Sequence, residues 1–154
     1  KVPYDLWFDQ GFLRTTPGNK VHYKHVTDWF LEMREKYEVY IPWIGYDSYS
    51  AQYWVEEMQG HFGKNSLIPV IQGKKTLSGP MKTMGADLES NQLNYENNPI
   101  TKWCLSNTAI EIDKNNNIQP SKGKNQRKRI DGTAALLDSY VILQDKMNDY
   151  MNMI

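Results

Sequence analysis

Asp47 closes the apolar and aromatic run Val39-Tyr40-Ile41-Pro42-Trp43-Ile44-Gly45-Tyr46, and Asp131 opens the long periodic segment near the end of the chain. A carboxylate where an apolar strand gives way to a helix stands where ligands and catalytic groups collect in open α/β sheets. The same residues also suit capping: Asp47 with Ser48 and Ser50 can close a turn, and Asp131 can satisfy amides and the macrodipole at a helix start. Just ahead of Asp131 lie Lys122, Lys124, Arg127, Lys128 and Arg129, with no acidic residue among them. Such a run reads as a solvated loop, as a localisation-like segment, or as a surface that meets an anion. Its place directly before a carboxylate favours an anion, because phosphate beside a divalent cation satisfies both signs. Two carboxylates at one site repel unless a cation lies between them, and hard oxygen ligands suit Mg²⁺ or Mn²⁺.

Other candidate motifs fail on their spacing. Gly73-Lys74-Lys75-Thr76 has Ile68 where a phosphate loop needs its first glycine, and Lys where Ser or Thr should follow, so it reads as a basic turn. Asp113-Lys114-Asn115-Asn116-Asn117 begins like a calcium loop but has Ile118 at the sixth position and Lys124 at the twelfth. His22 and His25 have no third ligand at a diagnostic spacing and read as solvated. No Ser or Cys nucleophile motif is present. The single cysteine, Cys104, excludes an intrachain disulfide and a cysteine-based zinc site, and fits a reducing compartment.

The elements that must position these residues follow from periodicity. The 154 residues suffice for one domain with a contiguous core, and with 18 basic and 18 acidic side chains no global field draws the molecule to nucleic acid or membrane. A mean hydropathy of −0.69 is polar, yet five Trp, ten Tyr and four Phe predict a folded domain with a small aromatic core. No apolar run approaches the roughly 18 residues that cross a bilayer, and Lys1-Val2-Pro3-Tyr4 has no signal core, which makes the cytosol the default. The start lacks Met, the mark of a chain cut from something longer.

Residues 3–13 suit a short helix, and Val26, Phe30, Met33 and Tyr37 set the stripe of a helix over 21–37. Residues 38–46 read as a buried strand, 50–60 as a helix through Ala51, Trp54, Val55 and Met58, and 66–72 as a second strand. Helices are expected over 77–93 and 100–105, then a hairpin of 108–112 and a strand near Ile118 around an Asn-rich turn. A last helix over 131–150 carries Ala135, Leu136, Tyr140, Leu143, Met147 and Tyr150 on one stripe. The sum is an α/β layered domain with helices packed on a mixed sheet.

Val2-Pro3-Tyr4 with Trp7 and Gly11, Ile44-Gly45-Tyr46-Asp47, Asn98-Pro99 with Trp103 and Asn107, Pro120-Ser121-Lys122, Ile130-Asp131-Gly132 and Ala134-Ala135-Leu136 occur in that order. Together they resemble the C-terminal nuclease domain of the large terminase subunit of tailed bacteriophages, which cuts concatemeric DNA during genome packaging. The resemblance implies an RNase H-like mixed sheet flanked by helices, with a β-hairpin before the last helix. It implies that Asp47 and Asp131 are catalytic ligands of Mg²⁺ or Mn²⁺, and that a further Asp belongs to a first strand ahead of residue 1. The chain then reads as a single, N-terminally truncated domain over 1–154. Asp138, two helical turns after Asp131 on the same face, is a lesser candidate outside the family pattern.

The function implied is a metal-dependent endonuclease for double-stranded DNA, with Lys122, Lys124, Arg127, Lys128 and Arg129 on the DNA. Its partners would be the terminase ATPase domain, the small terminase subunit and the portal, in the cytoplasm of the infected bacterial host, with no membrane. The alternative is a non-catalytic DNA-binding or motor-docking module; a third reading is another RNase H-like nuclease or recombinase.

Overall fold

Short apolar runs bounded by turn residues give short strands, and longer periodic ones give helices that cover them. The computed structural model describes residues 1–50 and 52–154. Helices α1 (Tyr4–Asp9) and α2 (Tyr23–Glu35) lead to strand β1 (Ile44–Asp47), helix α3 (Gln52–Phe62) and strand β2 (Leu67–Val70). Helices α4 (Lys74–Glu89) and α5 (Pro99–Asn107) precede the hairpin β3 (Ala109–Ile112) and β4 (Ile118–Ser121), and α6 (Asp131–Met151) ends the fold.

β1 and β2 pair in parallel, Ile44 opposite Leu67 and Asp47 opposite Val70. Parallel strands need a crossover, and α3 supplies it. Because side chains alternate across a strand, the pair faces two layers. Ile44 and Leu67 meet Trp54, Val55 and Met58 of α3, with Val26 and Phe30 of α2 beside them. Val70 meets Leu77 and Met81 of α4 with Leu137 and Ile142 of α6. The crossover helix and the last helix therefore clamp β1 from opposite sides.

Local chemistry fixes the joints. Asn98 caps α5, its Oδ1 accepting from the amides of Ile100 at 3.0 Å and Thr101 at 3.1 Å, with Pro99 at the first helical position. Asn98→Ala should lower stability by about 1 kcal/mol, read from the urea midpoint. Asp113 is a turn former: its Oδ1 accepts from the amides of Asn115 and Asn117 at 2.8 and 2.9 Å, and Asn116 takes a φ of +59°.

Two expectations change, and a third falls partly outside the described residues. The strand over 38–46 begins only at Ile44, because Glu38 adopts a φ of +55° and Pro42 has no amide to donate. The helix over 50–60 is α3, although Ala51 lies outside the described residues. The single mixed sheet is not formed among the described residues: the parallel pair and the antiparallel hairpin are separate. α4 intervenes, its Ser78 Oγ accepting from the Ile118 amide at 3.0 Å and its Lys82 donating to the Asn116 carbonyl at 2.8 Å.

The core is also less aromatic than composition suggests. Among its buried apolar side chains the aromatics are Trp7, Trp54 and Tyr140, while Met58, Met81, Met84 and aliphatic residues fill the remainder. Trp7 docks α1 on Trp103 of α5, with ring centres 5.4 Å apart. On α6 the buried residues are Thr133, Leu137, Tyr140 and Ile142, a rotation of the expected stripe, because α4, α5 and β1 all press on this helix.

Candidate active site

Gly45 sets the geometry. A Cβ there would lie 2.7 Å from Ile142 Cγ1 and 3.2 Å from the Asp138 carbonyl oxygen, so only a glycine lets α6 cross β1 this closely. Asp47, two residues on, projects to the same face of the strand. Asp138 is held at that end by Gln72, which follows β2: its Nε2 donates to Asp138 Oδ1 and to the Val70 carbonyl, both at 3.3 Å. Asp47 and Asp138 thus meet at the carboxyl ends of the parallel pair. They line a cleft of about 490 Å³ whose other walls include Tyr23, Phe30, Trp43, Tyr46 and Trp54. Trp54 belongs to the core as well, and Phe30, Tyr46 and Trp43 pack against it from the cleft side.

Asp47 does close a turn, as its capping reading expects, with Oδ1 accepting from the Tyr49 amide at 3.0 Å. That bond uses one oxygen; the other has no hydrogen-bond partner among the described residues, and neither Asp47 nor Asp138 makes an ion pair there. Burial raises the half-buried Asp138 carboxyl above its usual range, Asp47's charge pushes the same way, and the Gln72 hydrogen bond opposes both. The folded protein then retains a proton that the unfolded chain releases, so stability falls as pH rises from the ordinary Asp range through the raised value. Asp138→Asn should flatten that fall in urea midpoints measured from pH 4 to 7.

Asp131 lies one helical turn before Ala135, which lines the cleft. Asp131 itself is exposed in the first turn of α6 and is not among the residues lining the cleft. Seven residues separate it from Asp138, about 10 Å along the helix axis. The glycine after it has a packing role: a Cβ on Gly132 would sit 3.0 Å from Cys104 Sγ of α5. The structure brings Asp47 together with Asp138, the lesser candidate by sequence. Its sequence signal was the spacing from Asp131; the crossing of α6 over Gly45 is a tertiary fact. Among the described residues, no group of three or more His, Cys, Asp or Glu side chains is placed to hold a metal ion. Two carboxylates are still a workable donor set for Mg²⁺, which keeps several waters and takes one or two carboxylates.

The basic segment forms the turn-rich connection from β4 to α6. Lys124, Arg127 and Arg129 are exposed, Lys122 and Lys128 half-buried, and none makes an ion pair among the described residues. Asn107 pins its end, donating from Nδ2 to the Arg129 carbonyl at 3.0 Å.

The family described as terminase large subunit, endonuclease domain, matches residues 1–145. This chain belongs to that family. The large terminase subunit of Enterobacteria phage HK97 is 24% identical over 136 residues, covering 88% of this chain and 26% of that protein. Protein YmfN of Escherichia coli (strain K12) is 28% identical over 138 residues, covering 87% of this chain and 29% of that protein. The crystal structure of the HK97 bacteriophage large terminase matches with a TM-score of 0.80 at 24% identity, over 92% of this chain and 29% of that one. This terminase endonuclease domain therefore spans under a third of the length of the curated relatives it matches. Among its described residues no helix is long and apolar enough to cross a membrane.

Proposed function

We propose that this terminase endonuclease domain is a divalent-metal-dependent nuclease that cuts double-stranded DNA during phage genome packaging. The observation that carries the reading is the meeting of Asp47 and Asp138 at the carboxyl ends of β1 and β2, in a cleft with no Lys or Arg among the described residues that line it, in a chain of this family. Asp47 would hold Mg²⁺ or Mn²⁺ with the oxygen left over from its turn, and Asp131 at the start of α6 would complete the donor set. The bound ion would supply an activated water and stabilise the leaving 3′ oxygen. Lys122, Lys124, Arg127, Lys128 and Arg129 grip phosphates and so give little sequence choice. The fold is assigned to the RNase H-like class, which a parallel pair clamped by α3 and α6 supports. The partners are duplex DNA and, through the rest of a terminase, the ATPase domain, the small subunit and the portal, in the cytoplasm of the infected host.

Supercoiled plasmid incubated with the chain and Mn²⁺, Mg²⁺ or chelator tests this. Nicked or linear product with metal alone is expected. No cleavage with either ion, alongside salt-sensitive binding, would replace the nuclease with a non-catalytic DNA-binding or docking module. Under either reading, replacing Lys124, Arg127 and Arg129 with Ala should weaken plasmid binding. The slope of log K against log salt should shrink by about 0.9 for each phosphate that is no longer neutralised, measured by fluorescence anisotropy from low to physiological salt.

A further inference from the structure

We infer that Lys20, Tyr23 and Lys24 at the start of α2, with Tyr53 at the start of α3, form a second surface for duplex DNA. It lies on the opposite face of β1 from the basic connection that holds Lys122 to Arg129, so that a duplex touching both surfaces passes over Asp47. The inference rests on the nuclease reading and deepens it, by adding contacts on the side of the cleft that the basic run leaves bare.

The placement follows from the packing. α2 and α3 cover one face of the parallel pair, α4 and α6 the other. α2 and α3 both start at the carboxyl end of β1: Tyr23 meets the Tyr53 ring with centres 5.7 Å apart and stacks on Trp54 at 5.5 Å, while further down the two helices Phe30 meets Phe62. Tyr23 lines the cleft together with Asp47 and Ser50. The basic connection arrives at the same end from the other face. Along α4, Lys82 holds the Asn116 carbonyl, Ser78 the Ile118 amide, and Lys74 the carboxylate of Glu111, which also accepts from Gln119. β4 therefore rises toward the start of α4, and Lys122 emerges level with the strand ends.

The chemistry of the patch fits a phosphate backbone. No acidic residue occurs from Gln10 to Thr27, and within that stretch Lys20 and Lys24 are exposed and make no ion pair among the described residues. A helix start favours acids and disfavours cations. α2 has no acid in its first turn, Lys24 stands there instead, and His22 ahead of it makes no side-chain cap. Local rules broken together at one place mark a surface kept for something other than stability. Tyr53 is 66% exposed, yet Tyr23 and the buried Trp54 hold its ring, so the aromatic surface is rigid before any partner arrives. Phosphates meet the lysines and the ring packs on the sugars between them, contacts that position a duplex without reading its sequence. The acids of these two helices, Asp28, Glu56 and Glu57, begin about a turn further from the strand ends.

Fluorescence anisotropy of a labelled duplex oligonucleotide, titrated with the chain in chelator from low to physiological salt, tests the surface. Lys20→Ala combined with Lys24→Ala should weaken binding at low salt by at least about fivefold and shrink the slope of log K against log salt by about 1.8, two phosphates at about 0.9 each. Tyr53→Ala should weaken binding by at least about threefold with the slope unchanged, because the ring neutralises no phosphate, and Tyr53→Phe should restore it. The lysine variant should melt no lower than wild type, since it removes a cation from a helix start, so its loss of affinity is not a loss of fold. Wild-type affinity and slope in the lysine variant overturn the surface and leave the nuclease reading standing, because metal-dependent plasmid cleavage judges that reading separately. A wild-type chain that cuts plasmid but shows no salt-dependent binding overturns the surface as well.

Discussion

Asp47→Ala should slow metal-dependent plasmid cleavage by at least about 10³-fold, equivalent to about 4 kcal/mol of barrier, and leave DNA binding within about twofold. Asp47 is exposed, and its one structural bond is the turn contact to the Tyr49 amide. Removing that bond costs about 1 kcal/mol, too little to unfold a domain of this size. Loss of activity would therefore report chemistry. Asp47→Asn separates the two roles more cleanly, because the amide oxygen still closes the turn while the charge is gone. It should be as inactive as the alanine variant and melt at least as high as wild type. Binding should survive in both, since the positive surface belongs to Lys124, Arg127 and Arg129 on a different connection. An Asp47→Asn variant that cuts plasmid at the wild-type rate would remove Asp47 from the site.

How much of this was legible in the sequence depends on how local each cause is. Asp47 could be singled out because strand, turn former and helix follow one another along the chain. The hairpin was legible for the same reason, its Asn-rich turn lying between two short apolar runs. Asp138 could be named only as a lesser candidate by its spacing from Asp131, because its relation to Asp47 is made by a crossing of elements more than ninety residues apart in sequence, and Gly45 looks locally like any glycine in a strand. The separation of the two sheets was hidden too, since which strand pairs with which is non-local and α4 takes hydrogen bonds that a mixed sheet would have used. Aromatic residues misled for a related reason. Tyr46 and Trp43 pack against the core on one side and line a cleft on the other, and period alone does not distinguish a fully packed position from one at a cleft wall.

Gly45→Val carries the second large effect, because it addresses the crossing on which both carboxylates depend. Gly45 has no left-handed backbone requirement; what it supplies is room. Its missing Cβ leaves Ile142 Cγ1 and the Asp138 carbonyl within 2.7 and 3.2 Å of where that atom would be, and the second neighbour is backbone, which cannot rotate aside. Valine adds three carbons there, an overpacking expected to cost about 3 kcal/mol in urea unfolding. Cleavage should fall as well, since relief of the clash moves α6, and Asp138 with it, off β1. Ile142→Ala should recover part of the stability lost in Gly45→Ala, a coupling that a double-mutant cycle measures directly. Gly132→Ala is the contrasting case: its Cβ would press on Cys104 of α5, so stability should drop without a matching change in Mn²⁺ affinity. If Gly45→Val unfolds at the wild-type midpoint, α6 does not cross β1 at this distance, and the meeting of Asp47 with Asp138 fails with it.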